Sequence, residues 1–327
     1  MRVLVTGGAG YIGSQTAKAL AAAGHEVVVL DNLATGHAEA VRWGPLIEGN
    51  LGDKELLAKI FKEQQVEAVL HFAASLLVGE SVTDPQKYFW NNVVNTLVLL
   101  DGMKAARVKH IVFSSSAAVY GSPEKVPIPE DHPMRPVSPY GDSKLCMERA
   151  IRWYGVAYGL SGVALRYFNA AGADLDGELG EEHDPESHLI PLVIKAALGQ
   201  RPEVGIFGTD YPTADGTAVR DYIHVTDLAD AHVRALEYLA GGGATTELNL
   251  GTGVGHSVRE VVAGVGKLCG GRVPAKDAPR RAGDPPVLVA DPTRARQVLD
   301  WRPRCSDLDT IIQSAWKWHS SRASKPA

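Results

Sequence analysis

The 327-residue chain has little cysteine, no block of like charge and no long apolar run, and each lack excludes a class of protein. Its three cysteines, Cys146, Cys269 and Cys305, are far apart and odd in number, and none forms a C-x-x-C pair. Neither a disulfide framework nor a zinc site is indicated; buried thiols in a reducing cytoplasm are expected, and no metal is expected. The formal net charge is -5 and no five like charges stand together, so the clustered Lys and Arg of a nucleic-acid surface are missing. No segment reaches the roughly eighteen uninterrupted apolar residues of a membrane helix. Met1-Arg2 leads straight into Val3-Leu4-Val5 and a glycine turn, which is too short a start for a secretory signal. A cytoplasmic protein with neither membrane nor nucleic acid as partner is the expectation.

What is present is an alternation. Arg2–Thr6, Glu26–Leu30, Ala68–Phe72, His110–Ser114 and Gly162–Tyr167 are short β-branched runs that read as strands. Tyr11–Ala23, Asp53–Gln64, Phe89–Ala106 and Tyr140–Tyr158 read as the helices between them. Such alternation predicts β-α-β units, hence an α/β fold with a doubly wound parallel sheet of Rossmann type. Composition shifts after Phe168, where long acidic, polar and proline-rich loops begin. The expected division is a dinucleotide-binding domain over 1–168 and a smaller mixed α/β substrate-binding domain over 169–327. Elements around 220–250 are candidates to return to the first sheet. Loops of that length usually bind something.

Gly7-Gly8-Ala9-Gly10-Tyr11-Ile12-Gly13 follows the first strand and opens the first helix. Gly7, Gly10 and Gly13 permit a tight turn, a close backbone approach to a pyrophosphate and close helix–sheet packing. The helix N-terminus adds a dipole that favours the anion. A glycine turn alone also follows strands for purely structural reasons. Asp31, eighteen residues past Gly13 at the end of the second strand, supplies the acid that would hold an adenosine ribose. A carboxylate there repels a 2′-phosphate, so NAD is expected rather than NADP.

Tyr140-Gly-Asp-Ser-Lys144 places a phenol and an ammonium at i and i+4 on one helix face. The pair begins just after Ser138-Pro139, a natural helix start, and follows a strand ending in Ser114-Ser115-Ser116. A tyrosine near pKa 10 becomes a base at neutral pH only after a fall of about 3–4 pH units, about 4–5.5 kcal/mol. Lys144 and a positive nicotinamide ring are candidate sources, and Ser116 can position the reacting oxygen. Alcohol–ketone redox chemistry follows.

At these residues the chain resembles the extended short-chain dehydrogenase/reductase family. The match narrows with Arg166-Tyr-Phe-Asn-Ala-Ala-Gly172, Phe207-Gly-Thr-Asp-Tyr-Pro-Thr213, Asp215-Gly-Thr217 and Arg220-Asp-Tyr-Ile-His224 to the UDP-glucose 4-epimerase family within it, over essentially the whole chain. The resemblance implies NAD as cofactor, a UDP-sugar as substrate, and Tyr140, Lys144 and Ser116 as catalytic residues. It places Gly7, Gly10, Tyr11, Ile12, Gly13, Asp31, Asn32, Leu33, Ala34, Thr35, Gly36, Asn50, Leu51, Phe72, Ala73, Ala74, Asn92, Tyr140, Lys144 and Phe168 on NAD. It places Ser116, Tyr140, Asn169, His188, Leu189, Gly205, Ile206, Phe207, Arg220, Arg281, Asp284 and Leu288 on the UDP-sugar. Arginines suit a diphosphate because a guanidinium offers a bidentate fork. Singly, Phe207 also suits a core and Arg281 a solvated surface. Asp221, His224 and His71 read as bracing residues.

The chain departs from that pattern in places. Asn50 stands where the family has an acid at the adenine, Leu76 where some relatives have a lysine near the pyrophosphate, and His188 where they have an amide. Leu288, at the position gating the sugar 2-substituent, is neither tyrosine nor small. The expected reaction is inversion at C4 of a UDP-hexose through a 4-keto sugar, with UDP-N-acetylhexosamine or UDP-pentose epimerisation as alternatives. A 4,6-dehydratase would carry an Asp-Glu pair where Ala117 and Ala118 stand. A dissociable-cofactor reductase and a non-catalytic nucleotide sensor are the other readings. A homodimer pairing two helices per subunit, Phe89–Ala106 and Tyr140–Tyr158, is expected from the resemblance.

Overall fold

Apolar strands alternating with amphipathic helices build one parallel sheet in a computed structural model that describes residues 1–281 and 283–323. Ala282 and the last four residues of the 169–327 span lie outside the described residues. The sheet has seven strands. They are β1 (Arg2–Thr6), β2 (Glu26–Asp31), β3 (Leu46–Glu48), β4 (Ala68–His71), β5 (His110–Ser116), β6 (Ser161–Tyr167) and a later strand, Thr246–Leu250. From one edge the order runs Thr246–Leu250, β6, β5, β4, β1, β2, β3, and every pairing is parallel. Strands covered on both faces must be apolar nearly throughout; Val3, Leu4, Val5, Val69, Leu70, Ile111 and Val112 are all buried. One face packs on α1 (Tyr11–Ala22) and Val225–Ala240 through Leu20, Leu228 and Leu236. The other packs on α2 (Lys54–Glu63), Asn95–Ala106 and Pro139–Tyr158 through Leu57, Leu99 and Met147.

Strand order reverses at β1, which lies between β2 and β4. Loops leave in opposite directions there, and the crevice at the carboxyl ends of the strands is where such sheets bind ligands. A third core forms away from the sheet. Ile190 and Ile194 of the Leu189–Ala197 helix meet Val261 and Val265 of Val258–Cys269 and Ile311 and Ile312 of Leu308–Ala323. Short strands flank it: Val204–Phe207 pairs with Ala275–Ala278, and Val219–Arg220 lies between His256–Ser257 and Val287–Leu288.

Several local expectations change. β3 is only three residues long and carries no alternation to betray it. β5 runs two residues past Ser114, so Ser116 belongs to the ladder. The expected Phe89–Ala106 helix is π-helical over Phe89–Val94 and α-helical from Asn95. There the Asn92 amide is drawn to Ser75 and Ser143, and wide turns of this kind often mark functional sites. The three cysteines are unpaired but half-exposed rather than buried. Among the described residues no helix is long and apolar enough to cross a membrane.

Beneath β5 and β6 lies a buried ion pair. Glu148 accepts from Arg166 Nε (2.8 Å), from Arg166 Nη2 (2.6 Å) and from the Ser115 hydroxyl (2.6 Å). Arg166 Nη1 also donates to Tyr120 at 2.9 Å. Removing one partner strands an uncompensated charge in a low dielectric. Glu148→Ala should therefore lose about 3–5 kcal/mol of stability in urea unfolding. A loss below about 1 kcal/mol would mean that the arginine finds water or another anion.

Candidate active site

The glycine turn is built by close approach. Gly7 has φ +73°, and a Cβ there would sit 2.6 Å from Ala73 N, so the turn lies directly against the loop after β4. A Cβ on Gly13 would sit 2.2 Å from Gly7 O, which makes glycine obligatory where α1 meets the turn. Gly10 differs: its Cβ would meet only Gly7 O, at an ordinary 3.4 Å, so the fold itself does not demand glycine there. Gly10 is also the N-cap of α1 and makes no side-chain cap, which leaves the first helical N–H groups facing outward. A cradle of this kind fits a diphosphate.

Asp31 closes the turn from the end of β2. Its carboxylate accepts from Ala9 N and from Leu33 N, both at 2.9 Å. The 33–36 segment folds onto the turn: His37 N donates to Ala9 O at 3.0 Å, and a Cβ on Gly36 would meet Ala9 backbone at 2.9 Å. Leu33 takes φ 56° in this bend. Asn32 Nδ2 donates to the exposed Asn50 at 2.9 Å, while Ala34 N donates to Asn32 Oδ1. Leu51 turns inward to the core beside Leu30 and Leu57. Tyr11 donates its hydroxyl to Gly172 O at 2.6 Å, and Ile12 packs on the core. Phe72 lies against His232, their ring centres 4.7 Å apart. Asn92 is fully buried, and its amide is committed to Ser75 and Ser143, so it fixes the loop after β4 rather than offering a free donor.

Ser116, Tyr140 and Lys144 are brought together at the carboxyl end of β5. Ser138 caps the Pro139–Tyr158 helix by accepting from Gly141 N, and Pro139 fits the first turn, so Tyr140 starts the helix facing β5. Ser116 lies close enough to the Tyr140 phenol to lower its pKa, while its hydroxyl accepts from Ala118 N at 3.2 Å. Lys144 is buried and donates to Ser114 O at 2.8 Å, with Nζ 5.0 Å from the Phe113 ring centre and 5.8 Å from that of Tyr140. Burial pushes the Tyr140 pKa up, opposed by Ser116. Burial also lowers Lys144 to about 7, against the pull of Glu148. Sequence reasoning missed four supporting residues. Tyr88 meets Tyr140 edge-on at 6.5 Å, Tyr167 hydrogen-bonds Ser114, Ser143 holds Asn92, and Glu148 anchors the helix. The i+8 spacing from Tyr140 to Glu148 was the one available signal for these.

A second group of expected residues converges opposite. Leu288 pairs with Arg220 across the Val219–Arg220 ladder, and it and Phe168 both pack on the small core of Ala117, Val119, Tyr120, Ile128 and Leu145. Arg220 forms an ion pair with Asp284, and Asp284 N donates to Arg281 O at 3.3 Å. The Arg281 guanidinium lies 4.2 Å from the centre of the Phe207 ring, which is 38% exposed and therefore no core residue. Gly205 backs that ring, whereas Ile206 is buried and presents only backbone. Asn169 N donates to Asp221 O at 3.1 Å. His188 turns to Glu181, and Leu189 packs on the third core. Three residues act as braces. Asp221 accepts from Thr252, Gly253 and Ala290; His224 bonds Thr226 and Ser314; His71, lowered to about 3 by burial and then by Lys144, lies between Thr6 and Thr96.

Comparison with known proteins fits this geometry. The model of the NAD dependent epimerase/dehydratase family matches residues 3–251. UDP-glucose 4-epimerase of Lacticaseibacillus casei is 49% identical over 98% of this chain and 97% of its own. A crystal structure of UDP-glucose 4-epimerase from Brucella ovis in complex with NAD superposes with TM-score 0.95 at 54% identity, covering 96% of this chain and 97% of that one. The enzyme from Bifidobacterium longum in complex with NAD+ and UDP gives TM-score 0.94 at 39% identity, over 99% of both chains.

The burial of Lys144 has a measurable sign. Its folded pKa of about 7 lies below the unfolded value of 10.5, so the cost of burying the ammonium is full below pH 7 and disappears as pH rises toward 10.5. Lys144→Met should therefore be stabilised relative to the parent chain at pH 6, and the advantage should shrink steadily up to pH 10. Parallel urea melts of the two proteins test this; a difference independent of pH contradicts the lowered pKa.

Proposed function

Because the chain belongs to the NAD dependent epimerase/dehydratase family, we propose that it inverts C4 of a UDP-hexose, interconverting UDP-glucose and UDP-galactose, with NAD as its cofactor. The observation that carries this reading is the convergence of Ser116, Tyr140 and Lys144 at the carboxyl end of β5, with alanine at 117 and 118. NAD, when bound, supplies a reversible hydride acceptor and a positive ring beside the phenol. Gly7, Gly10, Gly13 and the first turn of α1 would hold its pyrophosphate, and Asp31 its adenosine ribose.

Tyr140 takes the proton of the C4 hydroxyl and returns it, while Ser116 holds the same oxygen. Lys144 keeps two N–H donors beyond the one on Ser114, enough to hold a ribose hydroxyl near the phenol. Arg220 and Arg281 offer charge-assisted donors to the UDP diphosphate, with Phe207 as a stacking face for uracil. Elimination of water would need a further acid and base, and the methyl groups of Ala117 and Ala118 provide neither. The exposed Phe89, Trp90 and Leu97 on one helix and Trp153, Val156 and Tyr158 on its neighbour support a homodimer, which sedimentation decides by mass. The half-exposed free thiols suit a reducing cytoplasm.

Tyr140→Phe should keep its affinity for UDP-glucose and lose about 10²–10⁴-fold in kcat. A nearly unimpaired variant would remove Tyr140 from acid–base catalysis. UDP-galactose given to the purified enzyme without added cofactor should yield UDP-glucose, with no net reduction of NAD; an oxidised or dehydrated sugar would indicate one of the rival reactions. Leu288, packed on the same small core as Phe168, is the residue we assign to the sugar 2-substituent. Leu288→Tyr should depress turnover of UDP-N-acetylglucosamine more than that of UDP-glucose, and an equal fall in both would exclude the gate.

A further inference from the structure

The loop between the strand Asn169–Ala171 and the helix Leu189–Ala197 carries two acidic groups that are neutralised differently. Asp174, Asp176 and Glu178 surround the Lys18 ammonium at 2.9, 2.8 and 2.7 Å. Glu181 and Glu186, whose side chains are each 3% exposed, make no ion pair with a lysine or arginine among the described residues. They face His183 and His188 instead, and one ligand atom from each of the four side chains lies within 4.8 Å of the others.

We propose that Glu181, His183, Glu186 and His188 form a binding site for a divalent transition-metal ion of the zinc class. Two buried carboxylates that no lysine or arginine meets are costly, and a metal ion is one of the partners that removes the cost. The spacing suits a tetrahedral ion. Bonds of about 2.0–2.1 Å place ligand atoms about 3.3–3.4 Å apart. His183 Nδ1 lies 3.1 Å from Glu181 Oε1 and 3.9 Å from Glu186 Oε1, and His188 Nδ1 lies 3.5 Å from Glu186 Oε1. His188 Nδ1 also touches Glu181 Oε1 without the alignment of a hydrogen bond, and Glu186 Oε2 is buried with no hydrogen-bond partner. His183 Nδ1 hydrogen-bonds Glu181 Oε1, and Glu186 Oε1 accepts from Ser187 N and His188 N, which leaves Glu186 Oε2 and His188 Nδ1 as the buried atoms an ion would take up. Two imidazoles exclude the all-oxygen preference of calcium and magnesium.

With four protein ligands and no open position, the site is structural rather than catalytic. It also lies beside the glycine cradle, far from the Ser116–Tyr140 pair in chain connectivity. His183 meets the Tyr11 ring edge-on at 6.2 Å, and His37 Nε2 bonds Glu182 O at 2.9 Å. An ion there pins the loop to the start of α1, and His188 then serves the ion rather than the nucleotide. Binding displaces the proton that His188 would otherwise hold against Glu181.

The test is to incubate the tag-free full-length protein with zinc chloride, desalt it, and measure retained zinc by mass spectrometry. The expected result is about one zinc per chain, with a Tm several degrees higher that falls back when a chelator is added. In Glu181→Gln/His183→Ala, both the retained zinc and the Tm rise should disappear. A parent chain that releases its zinc on desalting overturns the proposal, as does a folded double variant that keeps it. Cobalt(II) chloride added to the parent chain gives a test independent of the variant's folding. Strong visible absorption of four-coordinate cobalt supports the site, and the weak spectrum of six-coordinate cobalt refutes it.

Discussion

The chemistry of this site depends on one buried ion pair that is not itself part of it. Tyr140, Lys144 and Glu148 are spaced i, i+4 and i+8, so they lie along one stripe of the Pro139–Tyr158 helix. Arg166 and Ser115, which face each other across the β5–β6 ladder, both grip Glu148. That grip sets the helix's rotation and its position along the strands. Two turns earlier, Tyr140 consequently meets Ser116, the last residue of β5. Such a pair contributes little net stability, because desolvation offsets most of the Coulombic gain. What it supplies is registry: an apolar contact would tolerate a slide of the helix, whereas a bidentate fork on a carboxylate tolerates very little.

The charges around the phenol follow from the same burial. Tyr140 and Lys144 are each pushed toward their neutral forms, the phenol upward and the ammonium downward. Groups so placed are poised rather than armed. Any fall of the phenol toward neutrality has to come from a positive charge added beside it, since Ser116 only partly opposes the desolvation. Acid–base activity is thereby coupled to occupancy of the cradle built by Gly7, Gly10 and Gly13. The coupling has a use: a phenolate formed without its cofactor would sit in an apolar pocket at high cost.

The parallel sheet was legible because buried strands and amphipathic helices write their periods directly into the sequence. The glycine turn, Asp31 and the Tyr140–Lys144 pair were legible because each function requires a fixed short spacing. β3 was not, since three residues hold no period, and the π-turn at Asn92 was not, since its cause is a side-chain hydrogen bond to Ser75, seventeen positions away. Cysteine burial was misjudged because residue type says little about whether a thiol on a helix or in a bend faces the core. Glu148 and Arg166 are ordinary charged residues in sequence, and only the ladder pairing Ser115 with Arg166 reveals their task. His188 faces Glu181 and Glu186, a pairing that no single short spacing in the sequence announces.

The two ends of the site are built unequally, and the proposed reaction requires that inequality. Where the diphosphate and uracil would lie stand Arg220, held by Asp284, and Arg281, stacked on Phe207. These are directional, charge-assisted groups that lose little entropy on binding because their partners already fix them. The residues we assign to the hexose end, Ala117, Ala118 and Leu288, offer no hydrogen bonds from their side chains. A 4-keto sugar that must present its other face before reduction cannot be tied down by specific bonds at both ends. Anchoring at the nucleotide keeps the intermediate from escaping, and smooth apolar walls keep the barrier to its rotation low. The same inequality makes the 2-substituent a matter of volume at Leu288 rather than of recognition, because discrimination by apolar contact alone is worth only about 1–3 kcal/mol.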